Sequence, residues 1–294
     1  MLRNSNAKYD IVANIFMIVV CMFAILPFVL LLAASLTKST DITLYGYSFF
    51  PKNLSLDAYL YIWNERSQIF RAYAITVIVT AAGTFVGLTI SILYAYVLSK
   101  PAFPGKKFFS FYLLFTMLFN GGLVPTYIMY TRYLGLKNTL FALIIPSLLL
   151  NAFNVLLIRS YLQNNIPRAL TEAAIIDGAS EYKIVSHIIL PLAKPIIASI
   201  GLFIGVAYWN DWMNGLYYVT DINLYSIQQL LNNMMKNIEY LSKNSNSSII
   251  GNVNIPQATV RMAIAVVGIL PIFTVYPFIQ KYFVRGISLG AVKG

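Results

Sequence analysis

The sequence predicts an all-α, polytopic membrane protein with six transmembrane helices, built as one domain across residues 1–294. Three observations carry that expectation. Hydrophobic residues make up 59% of the chain and charged residues only 11%, whereas a water-soluble domain carries about 25% charged residues to cover its surface. Mean hydropathy is +0.70. The charges are also unevenly placed, leaving six stretches without Asp, Glu, Lys or Arg. Most of these reach the roughly 20 residues that cross a hydrocarbon core about 30 Å thick.

Span one is expected at about 11–36. Arg3 and Lys8 before it and Ala33-Ala34-Ser35 at its end resemble a secretory leader, but the apolar stretch exceeds a leader core of about 7–15 residues and contains Pro27. Spans two, three and four follow at about 72–98, 108–130 and 138–158. The fifth charge-free stretch, 195–210, is short, so span five must continue through Asp211 to about Leu216; span six covers about 262–280. Gly83, Gly87, Gly201 and Gly205 recur at four-residue spacing and permit close helix approach, within the bundle or against a second membrane subunit. Cys21 is the only cysteine, so neither a disulfide within the chain nor a cysteine cluster is available.

The formal charge of +11 would raise nucleic acid as a partner for a soluble protein. In a membrane chain the same excess belongs at span ends, facing the cytoplasm and anionic lipid, and no nucleic acid partner is expected. Placing both termini inside assigns about 12 Lys and Arg to roughly 70 inner residues and about 9 to roughly 90 outer ones, the denser set being cytoplasmic. Lys100, Lys106 and Lys107 then share one short inner loop. The one long inner connection runs over 159–194.

Within that connection, residues 165–191 read as a pair of short helices. Asn165 is placed to cap the first, Pro167 suits its first turn, and Leu170, Ala173, Ala174 and Asp177 recur at helical spacing. Gly178 ends it. Ser180 can cap the second, which offers Tyr182, Ile184, Val185 and Ile188 for burial before Pro191 turns the chain into span five. Small Ala173 and Ala174 beside Glu172 would let a helix enter a partner's groove closely while the carboxylate meets a basic side chain, fixing register more than adding affinity.

At these residues the chain resembles a known family. Glu172-Ala173-Ala174, then Gly178, then Ile188-x-Leu190-Pro191 reproduces the EAA loop of permease subunits of binding-protein-dependent ATP-binding-cassette importers. The end of the chain, from Gly286 to Gly294, is similar to the sugar-importing branch, including the smaller permease of maltose transporters. Asn120-Gly121-Gly122-Leu123-Val124-Pro125 and Tyr133-Leu134-Gly135-Leu136-Lys137-Asn138-Thr139 resemble the branch that handles complex oligosaccharides. The resemblance implies a type I importer permease in a bacterial cytoplasmic membrane, with a coupling helix docked on a separate ATPase dimer that holds the ATP and Mg. No cofactor is expected on this chain. It implies that Glu172, Ala173, Ala174, Asp177 and Gly178 form the docking element, that Gly178 makes its bend, and that the tail with Gly290, Lys293 and Gly294 enters the ATPase interface. Further partners are a second homologous permease, an extracytoplasmic solute-binding protein, the lipid bilayer and a sugar substrate. In the maltose relative a loop after span five reaches into the binding protein, which makes Asn244, Asn246 and Gly251 candidates for that contact.

The chain lacks the chemistry to power transport itself. No Gly-x-x-x-x-Gly-Lys-Ser/Thr phosphate loop occurs, no His-Glu-x-x-His occurs, and His187 is the only histidine, so no ATPase site and no histidine-built metal site is expected. Asp211 is the one carboxylate inside a span, thin support for ion coupling.

Sugar recognition combines aromatic faces with amides and carboxylates. The end of span five, with Trp209, Asn210, Asp211 and Trp212, supplies both, although aromatic residues also anchor helices at the membrane interface. Asn120, Asn151 and Asn154 lie in or near spans three and four, where an amide must face protein or a wet cavity; they are further path candidates, with interhelical bonding the alternative. Outside, Ile227, Leu230, Leu231, Met234 and Met235 fall on one face of a helix lying on the membrane or the bundle. The expected function is a transport subunit, not an enzyme, of an ATP-driven sugar importer. A permease for a non-sugar solute keeps the loop but changes the path residues, and an ion-coupled carrier or channel would work without an ATPase.

Overall fold

The computed structural model describes residues 7–244 and 257–291, and among them it is helical almost throughout. One isolated antiparallel bridge joins Thr37 and Leu54. The helices are α1 (Ala7–Ser35), α2 (Ser39–Tyr45), α3 (Asp57–Asn64), α4 (Arg66–Ser99), α5 (Lys106–Leu118), α6 (Leu123–Tyr133), α7 (Phe141–Ile144), α8 (Ala152–Asn165), α9 (Arg168–Ile176), α10 (Glu181–Leu192), α11 (Lys194–Trp209), α12 (Met213–Tyr218), α13 (Ile227–Asn244) and α14 (Gln257–Ala291). The chain divides into two compact units, one of residues 1–67 with 231–271, the other of 68–230 with 272–294.

In the first unit, α1 is apolar all round and none of its most apolar window is buried, the pattern of a helix whose surroundings are lipid or another chain. Pro27 sits within it without breaking it. Below it, Ser35 and Tyr59 share a hydrogen bond of 2.8 Å, and Lys38 donates its amide to Asn53, so the bridge and the short α2 and α3 form a tied cap.

The second unit is packed on α4 and α11. Glycine permits this approach: a Cβ at Gly83 would stand 2.4 Å from the Tyr208 ring, and one at Gly87 would stand 2.9 Å from the Leu149 carbonyl. Gly201 faces Leu88 and Gly205 faces Thr84 at 3.3 and 3.4 Å. The four-residue glycine spacing therefore serves a seam within the bundle.

α1 and α4 are each long and apolar enough to cross a bilayer, and up to two more crossings follow if each of two bent pairs counts as one. The region predicted as span three bends by 113° between α5 and α6. Asn120 accepts the Gly122 amide at 2.9 Å and Gly122 takes φ 88°, a left-handed turn that glycine makes without strain. Residues 138–158 are not one helix either. α7 is a single turn, Ser147 adopts φ 63°, and α8 starts at Ala152 and continues to Asn165. α10 and α11 meet at 82°. α14 includes a shorter apolar stretch, Ala258–Thr274.

Candidate functional site: the 165–191 loop and the end of α11

The two predicted loop helices form. α9 begins after Pro167, which stands at the N-cap with φ −61° and extended ψ rather than in the first turn, where its missing N–H interrupts no helical bond. Asn165 does not cap it: its side-chain amide donates back to the Tyr161 carbonyl at 3.2 Å, because α8 runs on to this residue. Asp177 lies just past α9, and Gly178 at φ 77° ends it in the left-handed conformation. Ser180 then accepts the Lys183 amide at the start of α10. Pro191 does not make the turn into the next helix, since it sits in helix as the chain enters its last turn, and the bend falls at buried Ala193.

The two helices differ in how they are held. α9 contains no buried residue; Glu172, Ala173, Asp177 and Gly178 are exposed and Ala174 is half-buried. The Glu172 and Asp177 carboxylates make no hydrogen bond or ion pair among the described residues. α10 instead buries Ile184 and Ile189, although the expected burial of Tyr182 fails and that ring is exposed. Glu181, at its first turn, accepts from Tyr96 Oη at 2.7 Å and pairs with the Lys100 ammonium. Lys100 and then Tyr96, by hydrogen bonding, hold the Glu181 carboxyl below the ordinary carboxylate range despite slight burial. A cavity of about 490 Å³ separates α9 from the 100–104 connection, lined by Lys100, Phe103, Ile166, Arg168, Glu172 and Ile184 among others. Sequence reasoning missed Tyr96 and Glu181. Nothing local marks them, since Lys100 and Glu181 are far apart in the chain.

At the end of α11 the polar groups are largely engaged inside the protein. Tyr208 is 2% exposed and donates to the Ile144 carbonyl at 2.7 Å. Asp211 accepts the Met213 and Asn214 amides at 3.1 and 3.3 Å, the role of a helix cap for α12. Asn214, which the sequence did not single out, donates to the Pro146 carbonyl at 3.0 Å from a buried position. Asn210 is exposed just beyond α11, and Trp212 is exposed. Trp209 lies beside Tyr73, ring centres 6.3 Å apart and planes tilted by 35°, and its indole N–H is buried without a partner among the described residues.

The other path candidates are dispersed. Asn120 makes the turn between α5 and α6, Asn151 caps α8 by accepting from Phe153 and Asn154, and Asn154 is buried one turn further on. In α13, Ile227, Leu230 and Leu231 are buried as its pattern requires, while Met235 is exposed. Asn244 ends that helix, its side chain outside the described residues, as are Asn246 and Gly251. Gly290 lies in the last turns of α14; Lys293 and Gly294 are outside the described residues. Among the described residues, no group of three or more His, Cys, Asp or Glu is placed to hold a metal ion.

A family model described as the binding-protein-dependent transport system inner membrane component matches residues 3–289. The chain belongs to that family. It is 37% identical to the polygalacturonan/rhamnogalacturonan transport system permease protein YtcP of Bacillus subtilis, over 98% of this chain and 99% of that one. It is 28% identical to the trehalose/maltose transport system permease protein MalG of Thermococcus litoralis, over 97% and 96%. Among solved structures it is similar to the crystal structure of a bacterial ABC transporter involved in the import of the acidic polysaccharide alginate, with a TM-score of 0.78 and 29% identity, covering 96% of this chain and 99% of that one. The all-helical importer-permease fold expected from the EAA-type loop is therefore the fold of this chain. It is a membrane transport subunit.

Proposed function

We propose that this chain is the membrane-embedded half of an ATP-driven importer that takes an oligosaccharide from an extracytoplasmic binding protein and releases it into the cytoplasm. The observation that carries the reading is α9: a family-typical Glu172-Ala173-Ala174 helix with no buried residue and with carboxylates unpartnered among the described residues. Exposed charge beside small side chains is what a groove on another protein recognises.

In this account α9 docks on one subunit of a separate ATPase dimer, which binds the ATP and Mg, and the tail with Gly290, Lys293 and Gly294 reaches the same partner. A second, related permease completes the path, and both termini face the cytoplasm. Closure of the ATPases on ATP shifts the population of the bundle between outward- and inward-open states, because α9 moves with the ATPase it grips. This chain supplies docking, force transmission and part of the path. Trp209, Asn210, Asp211, Trp212, Asn120, Asn151 and Asn154 are the path candidates, with Asn244, Asn246 and Gly251 facing the binding protein.

The polygalacturonan/rhamnogalacturonan relative and the alginate importer are both named for anionic polysaccharides. A uronate-containing oligosaccharide is therefore the first cargo to test. Proteoliposomes holding this chain, the second permease and the ATPase, supplied with binding protein, should accumulate labelled oligogalacturonate only with internal ATP. Uptake of neutral maltotriose in preference would overturn the cargo class, and uptake by the permease chains without the ATPase would overturn the mechanism.

A further inference from the structure

We infer that Tyr96, Lys100 and Glu181 form a clasp that makes α4 and α11 move as one body when α9 is displaced, so that these three are positioning residues for energy coupling. The inference rests on the docking reading of α9 and goes beyond it, since none of the three belongs to the loop's docking element.

The geometry is that of a closed triangle. One side is the seam of α4 and α11, where Gly83 and Gly87 meet Tyr208 and Ile204 and Gly201 and Gly205 meet Leu88 and Thr84. The second side is α10, about 18 Å long at the helical rise, which leaves α11 at 82° through Ala193. The third is the lower end of α4. The corner between α10 and α4 is closed by Glu181, whose two carboxylate oxygens are divided between Lys100, just past the end of α4, and Tyr96 in its last turn: Oε1 takes the Lys100 ammonium and Oε2 the Tyr96 hydroxyl at 2.7 Å. Lys100 Nζ also lies 4.8 Å from the centre of the Tyr96 ring, so each member of the trio touches the other two.

The surroundings fit a joint that must hold its register under load. Tyr96 is buried, so its hydroxyl is aimed by packing. Pro101 has no amide to continue α4, and the helix end is held by the Ser99 hydroxyl on the Tyr96 carbonyl, by Gln163 on the Ser99 carbonyl and by Lys106 on the Lys100 carbonyl. Lys100 stands at a helix C-terminus and Glu181 at a helix N-terminus, each on the side its charge favours. As an exposed ion pair it adds little to stability. Its use is geometric: force entering at α9 passes the Gly178 bend into α10, and without the clasp α10 pushes on α11 alone.

The test uses the whole transporter in lipid nanodiscs, in a Cys21→Ser background because that thiol is exposed, with spin labels at Val97→Cys on α4 and Leu192→Cys on α10, and a separate Thr171→Cys variant for cross-linking α9 to the ATPase. Trapping with ATP and vanadate should leave the 97–192 distance unchanged with the clasp intact. In Glu181→Gln and in Tyr96→Phe, trapping should shift or broaden it by about 2 Å or more, the scale of helix displacements in switching transitions. Exchanging the charges, Lys100→Glu with Glu181→Lys, should restore the invariant distance, which a role in stability alone would not predict. An unchanged distance in both single variants, with the Thr171→Cys cross-link formed, overturns the clasp. Should Glu181→Gln fail to assemble, Tyr96→Phe, which removes one hydroxyl, decides the matter. Absence of the cross-link with the clasp intact overturns the docking reading instead.

Discussion

The α9 loop and the end of α11 carry similar inventories of carboxylates, amides and apolar surface, and they use them in opposite ways. At α11, Tyr208, Asp211 and Asn214 each bond to backbone groups of the same chain. On α9 and just past it, the Glu172 and Asp177 carboxylates bond to nothing among the described residues, and no side chain of that helix is buried. Polar groups consumed internally hold a fold; polar groups left exposed are satisfied by water and stay open to another molecule.

Substitutions can break that contrast at either end. The largest stability loss is expected for Gly83→Val, since its Cβ alone would stand 2.4 Å from the rigid Tyr208 ring. Overpacking of this kind costs about 3 kcal/mol and should lower the thermal midpoint of the detergent-solubilised chain. Asn214→Ala removes one of two donors to the buried Pro146 carbonyl, which keeps the Leu148 amide, and should cost about 1 kcal/mol by the same measurement. Asp211→Ala removes a helix cap, an effect of about 1 kcal/mol, whereas Asp211→Asn keeps the accepting oxygen and should be nearly as stable as the parent. Uptake by Asp211→Asn sharpens the comparison: normal transport leaves Asp211 as a cap alone, and lost transport with unchanged stability places its charge on the path. The smallest stability change, within about 0.5 kcal/mol, is expected for Glu172→Lys on exposed α9.

The elements most legible in the sequence were those fixed by neighbours a few residues apart. Charge-free stretches marked α1 and α4, Gly178 marked the end of α9, and Ser180 marked the start of α10. Counting charges says nothing about φ, however, so the bend at Asn120-Gly121-Gly122 inside a charge-free stretch went unread, although adjacent Asn and Gly are themselves a turn signal. The same blindness joined residues 138–158 into one span and stopped it at Arg159, where α8 merely becomes polar. Asn165 was misread because a residue that can cap the next helix can equally close the last turn of the one before it. The clasp was beyond reach for a different reason. Lys100 and Glu181 meet only after α4 and α10 have been placed, and no local pattern reports a contact made across the fold.

The central claim is that exposed α9 is the handle by which another protein moves this one. Its most direct test is ATP-driven uptake of labelled oligogalacturonate by the complete transporter carrying Glu172→Lys. The account predicts an uptake fall of about tenfold or more, within the range of ordinary coupling energies, with membrane insertion and thermal midpoint unchanged. Uptake equal to that of the unsubstituted transporter would contradict it.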